Sequence, residues 1–379
     1  MKNILITGGA GFIGSRLCER LYEKDYNITV LDNLSPQIHE SDESTLYRKI
    51  KDKCTFIKGD VRNKEDWLKV LKGQEVIVHL ASETGTGQSM YEIEKYNNVN
   101  ITGTSNMLEV LSTSSHLVKK IILSSSRSVY GEGKYKSNNQ IIQYPKSRKI
   151  QDLEKGIFNL LCEYTNKDMI PMPTDEESQI NPKSIYALTK YTQEKMILLI
   201  SQSLSISPVI LRYQNVFGPG QSLSNPYTGI LSIFSTRILN GNDLDVYEDG
   251  LESRDFVYID DVIDATILAI ENERANGEIF NVGSGVATTV KEVAETLKNF
   301  YGSDININIS GKFRFGDIRH NYADLSKIES LLGFNSKYDF QKGVTEFVKW
   351  VKKQEINEDK YEKSIQELKE KGLMKWFID

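Results

Sequence analysis

Apolar residues along the first half of the chain come in short continuous runs, at 3–6, 28–31, 54–57, 76–80, 120–124 and 208–212. A strand with one wet face would alternate, so unbroken runs predict strands buried on both faces, as in a parallel sheet wrapped by helices. Between the runs, apolar positions recur at helical spacing over 12–24, 64–72, 98–113 and 184–203. This alternation of strand and helix predicts an α/β fold built on a doubly wound parallel sheet.

After Arg212 the pattern changes. Glycine and proline turns occupy 213–256 and a helix is expected near 228–240. A last pair of strands is expected at 256–259 and 278–282, with a helix at 260–271 between them. Helices near 289–301 and 324–331 then belong to a smaller C-terminal α/β lobe. The expected division is therefore 1–215, completed by about 256–287, for the first domain, and 216–255 with 288–379 for the second. The polar, lysine-rich stretch 133–182 is too long for an ordinary loop. It reads as an ordered insertion with a helix over 152–164, either a lid on the cleft or plain decoration. In the Lys- and Glu-rich stretch 352–379, Ile365, Leu368 and Leu373 predict the apolar stripe of one solvated helix with no chemistry attached.

Composition narrows the function classes. With 39% hydrophobic and 26% charged residues over 379 positions, the chain is globular rather than disordered. A net charge of -5 offers no broad basic field, which argues against a nucleic-acid partner. No apolar stretch approaches the roughly 20 residues a membrane helix needs. The first strand begins at Lys2 or Asn3, leaving no room for a targeting peptide, so a cytoplasmic protein is expected. Cys18, Cys54 and Cys162 lack metal-type spacing and read as reduced packing residues, with no metal site.

Candidate chemistry begins at Thr7-Gly-Gly-Ala-Gly-Phe-Ile-Gly14, directly behind the first apolar run and ahead of the first helix. Gly8 suits a tight turn, Gly11 a close approach of pyrophosphate to the backbone, and Gly14 close packing of helix on strand. The helix N-terminus, at Phe12 and Ile13, then favours the phosphate charge. Asp32 ends the second run, near the spacing at which a carboxylate receives the ribose hydroxyls of a dinucleotide. Asn33 follows it rather than an arginine, which favours NAD over NADP. Asp60 and Val61 close the next strand, where an adenine edge would lie. Further on, Ser124-Ser-Ser126-Arg127 places hydroxyls at the carboxyl end of a strand, where ligands of such sheets bind. Tyr186 and Lys190 stand four apart on one helix face, where the ammonium is expected to lower the phenol's pKa and make it a proton acceptor.

Taken in this order, these motifs resemble the extended short-chain dehydrogenases/reductases of the nucleotide-sugar epimerase/dehydratase group. The resemblance covers the chain apart from 133–182 and the tail. It implies a Rossmann-type fold, with Ser126, Tyr186 and Lys190 as the catalytic set. It implies NAD contacts from Leu80, Ala81, Ser82, Asn100 and Ser124, as well as from Tyr186 and Lys190. Asn215, Arg254, Arg314 and Asp317 match the family's substrate-nucleotide segments, as do Arg319 and His320 more loosely. Glu83, Thr84, Thr86 and Arg127 are expected around the sugar. Dehydratases of the group carry Asp-Glu beside the catalytic hydroxyl; here Arg127 follows Ser126, which implies an epimerase. The segments 81–91 and 212–228, with 173–176, resemble the branch that interconverts dTDP-L-rhamnose and dTDP-6-deoxy-L-talose. Relatives pair through helices matching 98–113 and 184–203, so a homodimer is implied. Met107, Leu108, Leu111, Met196, Leu198 and Leu199 would be its apolar face or, equally, core residues.

Overall fold

The computed structural model describes residues 2–39, 44–225, 227, 229–355 and 358–376. Seven strands form the main sheet: β1 (Asn3–Thr7), β2 (Asn27–Asp32), β3 (Thr55–Lys58), β4 (Val76–His79), β5 (Lys120–Ser126), β6 (Ser207–Tyr213) and β7 (Ile279–Val282). Their order is β7-β6-β5-β4-β1-β2-β3, with every neighbouring pair parallel. The continuous apolar runs have a direct cause. Ile4 and Ile6 of β1, with Val76 and Val78 of β4, join the core on one face. Leu5 and Ile77, between them, join a separate core on the other. This is the doubly wound Rossmann arrangement, and the chain reverses direction of winding between β1 and β4.

The longer helices are α1 (Phe12–Tyr22), α2 (Lys64–Val70), α3 (Gly103–Thr113), α4 (Ile185–Ser203), α5 (Ile230–Leu239), α6 (Ile259–Glu271), α7 (Val290–Tyr301), α8 (Ser326–Leu332), α9 (Phe340–Val351) and α10 (Tyr361–Glu370). The helix expected over 98–113 starts earlier, with a turn at Ile93–Tyr96 and a π-helical stretch at Asn97–Thr102. Helices α1 and α6 lie side by side, joined by Arg16–Asp260 at 2.8 Å, Arg20–Asp264 at 2.8 Å and Lys24–Glu271 at 2.7 Å. These pairs are partly exposed and contribute about 0.2–1 kcal/mol each.

A second sheet is centred on Ser253–Tyr258, which runs parallel to Asn215–Phe217 and His320–Asn321 and antiparallel to Ala287–Thr289. The strand expected at 256–259 thus belongs to this sheet and does not pair with β7. The helix expected over 152–164 is absent. One turn, Ile150–Leu153, ends before Gly156, which takes φ +71°. Beyond it Leu161 pairs with Asp168, and Leu160, Cys162 and Met169 pack on Tyr135 in a small core of their own. Three short strands, Tyr135–Lys136, Ile142–Gln143 and Ile170–Pro171, complete the insertion.

Packing decides several further expectations. Of the two alternatives open for Met107, Leu108 and Leu111, all three take the core, buried beneath α3. Leu199 of α4 is 75% exposed, while Met196 and Leu198 pack partly on the same core. Cys18 and Cys54 are not scattered, since the two thiols are neighbours between α1 and the entry to β3. The tail helix α10 is not a solvated appendage, because Tyr361, Ile365 and Leu368 are buried. Helix α9 was not anticipated, although Phe340, Val344, Phe347, Val348 and Val351 mark one face at helical spacing. Among the described residues, no helix is long and apolar enough to cross a membrane.

Candidate active site

The carboxyl ends of the parallel strands open into a cleft of about 620 Å³ that runs on between the two sheets. At one end, Gly8 turns with φ +68°, and a Cβ there would lie 2.7 Å from the backbone nitrogen of Ala81. A Cβ on Gly14 would stand 2.3 Å from the carbonyl oxygen of Gly8, so helix and turn pack too closely for any side chain. At Gly11 the nearest neighbour is 3.3 Å away, which leaves the backbone approachable from the cleft. No side chain caps α1, whose first residues Phe12, Ile13 and Gly14 line the wall. The first turn of α1 therefore offers N–H groups and a helix dipole to an anion, as a dinucleotide pyrophosphate requires.

Asp32 lies on the same wall and binds the loop to β2, its Oδ2 accepting from the Ala10 N–H and its Oδ1 from Leu34, both at 2.9 Å. Burial pushes its carboxyl up, against the pull of those hydrogen bonds and of His39, 3.7 Å away. Asn33, Asp60 and Val61 stand beside it. Burial works against the Asp60 carboxylate, but Arg62 and Asn33 hold its pKa down at about 2. Leu80, Ala81, Ser82 and Ser124 also reach the cleft. Asn100 does not. It is fully buried in the π-helical stretch, where it accepts from the Glu83 N–H at 2.8 Å and donates to Thr189 at 3.0 Å. It fastens the 82–83 loop to α4, which makes it a positioning residue behind the wall.

Midway along the cleft, Ser126, Tyr186 and Lys190 converge. Ser184 caps α4 by accepting from the Ala187 N–H at 3.1 Å, which sets Tyr186 in the first turn and Lys190 on the same face. The ring of Tyr96 meets Tyr186 edge-on at 6.4 Å, and its hydroxyl donates to the carbonyls of Thr84 and Gly85. The electrostatics differ from expectation. Burial raises the Tyr186 pKa, opposed by a hydrogen bond from Ser126 and by the charge of Arg127. Lys190 is itself pushed down to about 7 by burial, only partly offset by Glu194. That carboxylate is already engaged by Arg212 at 2.8 Å and by Ser125. The cation favouring the phenolate in this structure is therefore Arg127 rather than Lys190.

Beyond the hydroxyls lie two guanidiniums. Arg127 donates to Asn215 Oδ1 at 3.1 Å, and burial together with the charge of Arg254 pushes its pKa down to about 9. Arg254 is held by three backbone carbonyls, of Ser253 at 2.8 Å, Ile318 at 2.7 Å and Arg319 at 3.0 Å. Burial would raise the Asp317 carboxyl, but Arg314, 2.8 Å away, and Arg254 keep it low. Two neighbouring cations facing one cavity suit a multiply charged anion. Glu83, Thr84 and Thr86 line the same cleft. Arg319 and His320 stand behind the wall, Arg319 bonded to Glu248 and Asp249 and His320 to Ser253.

The insertion braces this wall from outside. Arg148 reaches Glu248 at 2.7 Å and the Asp317 carbonyl at 2.9 Å, while no residue of 133–182 lines the cleft. In this structure it packs on the outside of the wall rather than across the cleft. Residues not anticipated from sequence also line the cleft, among them Tyr247, Glu248, Glu252 and Tyr361. Tyr247 precedes the Arg254 strand and was findable by proximity; Tyr361 lies among charged residues and gave no local signal. Pro226 and Thr228, within the segment 212–228, lie outside the described residues.

Comparison with known proteins agrees with this geometry. The model of the NAD-dependent epimerase/dehydratase family matches residues 4–283. The chain belongs to that family. It is an NAD-dependent epimerase, an isomerase. It is 37% identical over 352 residues to the dTDP-L-rhamnose 4-epimerase of Burkholderia thailandensis, covering 92% of this chain and 95% of that enzyme. It also resembles the structure of a UDP-N-acetylglucosamine 4-epimerase from Methanobrevibacter ruminantium in complex with UDP-N-acetylmuramic acid (TM-score 0.75, 30% identity, 93% of this chain and 99% of that one). A UDP-glucuronic acid 4-epimerase from Bacillus cereus, with UDP-glucuronic acid and NAD, superposes with a TM-score of 0.74 at 26% identity, over 92% of this chain and 99% of that one.

Proposed function

We propose that this epimerase inverts C4 of a nucleotide-linked 6-deoxyhexose, interconverting dTDP-L-rhamnose and dTDP-6-deoxy-L-talose. The observation that carries the reading is the convergence of Ser126, Tyr186 and Lys190 with Arg127, Asn215 and Arg254 in the cleft that also holds the glycine loop and Asp32. The likeness to the Burkholderia enzyme supports the choice of sugar and base.

Bound NAD supplies a reversible two-electron acceptor. Gly8, Gly11 and the first turn of α1 would hold its pyrophosphate, Asp32 its ribose, and Lys190 its nicotinamide ribose. Tyr186 accepts the proton of the C4 hydroxyl as that carbon is oxidised, and Ser126 keeps the oxygen aligned. Arg127 and Arg254 retain the diphosphate, so the 4-keto sugar turns about an anchored end. The proton held on Tyr186 then returns to the oxygen as the opposite face of C4 is reduced. The absence of a carboxyl group beside Ser126 disfavours water elimination as the competing outcome. The reaction is redox-neutral, and the protein is read as a homodimer pairing through the outer faces of its long helices.

Incubation with dTDP-L-rhamnose, UDP-glucose, UDP-N-acetylglucosamine and UDP-glucuronic acid, without added cofactor, tests the reading by NMR. The C4 epimer of dTDP-L-rhamnose is the expected product. Conversion of only a UDP-sugar overturns the substrate; in a parallel incubation with a 4-keto nucleotide sugar and added NADH, stoichiometric NADH consumption would identify a keto-reductase instead.

A further inference from the structure

The wall beyond the cations is built partly by the tail. From Arg254 the contacts run through Asp317 to Arg314, whose guanidinium lies 5.2 Å from the centre of the Tyr247 ring. The Tyr247 hydroxyl stands 2.9 Å from that of Tyr361, the first residue of α10, and both rings line the cleft. Tyr361 is fixed from behind. The Arg237 guanidinium stacks 4.2 Å from its ring centre and also binds Asp359 at 3.2 Å.

The helix itself is fastened to both sides of the cleft. Ile365 and Leu368 share a cluster with Tyr91 from the first domain and Ile233 and Tyr247 from the second. Glu367 accepts from the Tyr227 hydroxyl at 2.5 Å. After the helix, Met374–Trp376 pairs antiparallel with Lys312–Arg314, the strand that carries Arg314 into the cleft. Two hydroxyls bring two protons to the Tyr247–Tyr361 pair, and their mutual hydrogen bond uses one. Burial raises the pKa of both phenols, so both protons are retained. The second proton has no other partner among the described residues. Two aromatic rings, a guanidinium and one unspent O–H donor suit a flat heterocycle bearing carbonyl oxygens.

We propose that α10 is a substrate-binding element, in which Tyr361, paired with Tyr247, contacts the pyrimidine base of the nucleotide sugar. This rests on the nucleotide-sugar reading above. In such a ligand the ribose joins the base to the diphosphate, as Asp317 and Arg314 lie between Arg254 and the tyrosine pair. The tail thereby sets affinity for the nucleotide rather than the rate of the sugar chemistry.

Calorimetry with dTDP, UDP and inorganic pyrophosphate on the full-length protein tests the proposal in Tyr361→Ala and Tyr361→Phe. Tyr361→Ala should weaken dTDP by about tenfold or more, through loss of ring contact and donor, while pyrophosphate binding and NAD content match wild type. KM for the nucleotide sugar should rise with kcat lowered less than about twofold. Tyr361→Phe, which keeps the ring, should lose about threefold. Unchanged dTDP binding in Tyr361→Ala overturns the role of the tail, as does an equal loss for pyrophosphate, which would mark general disruption. A wild-type protein that binds neither dTDP nor UDP overturns instead the reading on which this rests.

Discussion

Tyr186 is pulled two ways, towards the phenol by burial and towards the phenolate by Ser126 and Arg127. Replacing it with Phe keeps the ring against Tyr96 but removes the proton acceptor. Turnover of Tyr186→Phe should fall about 10²–10⁴-fold with NAD content unchanged, as single-turnover assays and cofactor extraction would show; near-wild-type turnover would refute the role. Arg127 makes a subtler prediction. Removing its charge withdraws support from the phenolate, so the phenol's pKa must rise. The acid-side limb of kcat/KM in Arg127→Gln should therefore move to higher pH, and a limb that stays in place would mean that the charge of Arg127 does not govern the proton acceptor. Sequence spacing was enough to bring Tyr186 and Lys190 together, because a helix fixes residues four apart. It could not rank Lys190 against Arg127 as the effective cation, since that depends on how deeply each is buried and on the engagement of Glu194 by Arg212.

At the scale of elements, the insertion depends on Arg148. This side chain is 4% exposed and spans Glu132 and Glu248, themselves 2% and 4% exposed. Its removal leaves Glu248 with Arg319 as its remaining guanidinium partner, so Arg148→Ala should cost about 1–3 kcal/mol in denaturant unfolding. Limited proteolysis should then cut first within 133–182; a protection pattern like wild type would show that the small core around Tyr135 holds the segment unaided. The sheet strands were legible because a run such as Ile4-Leu5-Ile6 serves two cores at once and tolerates no polar residue. The insertion was not, because Phe158, Leu160 and Met169 are satisfied by a local cluster and by Phe313, a partner far away in the chain. The tail failed for the same reason. Tyr361 finds Tyr247 and Arg237 across more than a hundred positions, and nothing beside it in sequence announces either.

For the molecule as a whole, two buried acids impose a pH dependence on stability. Burial pushes Glu252 up to about 8, with the charge of Glu248 adding to it, and pushes Glu132 up to about 7. The folded chain therefore holds protons that unfolded glutamates, near 4.5, would release. This contribution is complete below about pH 4.5 and is lost as pH rises through 7 and 8. The melting temperature should fall between about pH 5 and pH 8.5, and Glu252→Gln, which has no proton to lose, should flatten the upper part of the fall; parallel curves would refute it. The proposed homodimer has exposed Leu188 and Leu199 on one face of α4 to bury, and a monomeric mass in light scattering at micromolar concentration would exclude it. The strand order carries a further consequence, for biosynthesis. The chain begins with the middle of its sheet, since β1 stands between β2 and β4. The outermost strand on the far side, β7, and the helix α6 that clasps α1 are translated more than 200 residues later. Nearly every ladder is therefore non-local, which slows folding. A ribosome-bound chain halted before Ile279 must keep the exposed edge of β6 unpaired, and this is the interval in which the nascent enzyme most needs protection from its neighbours.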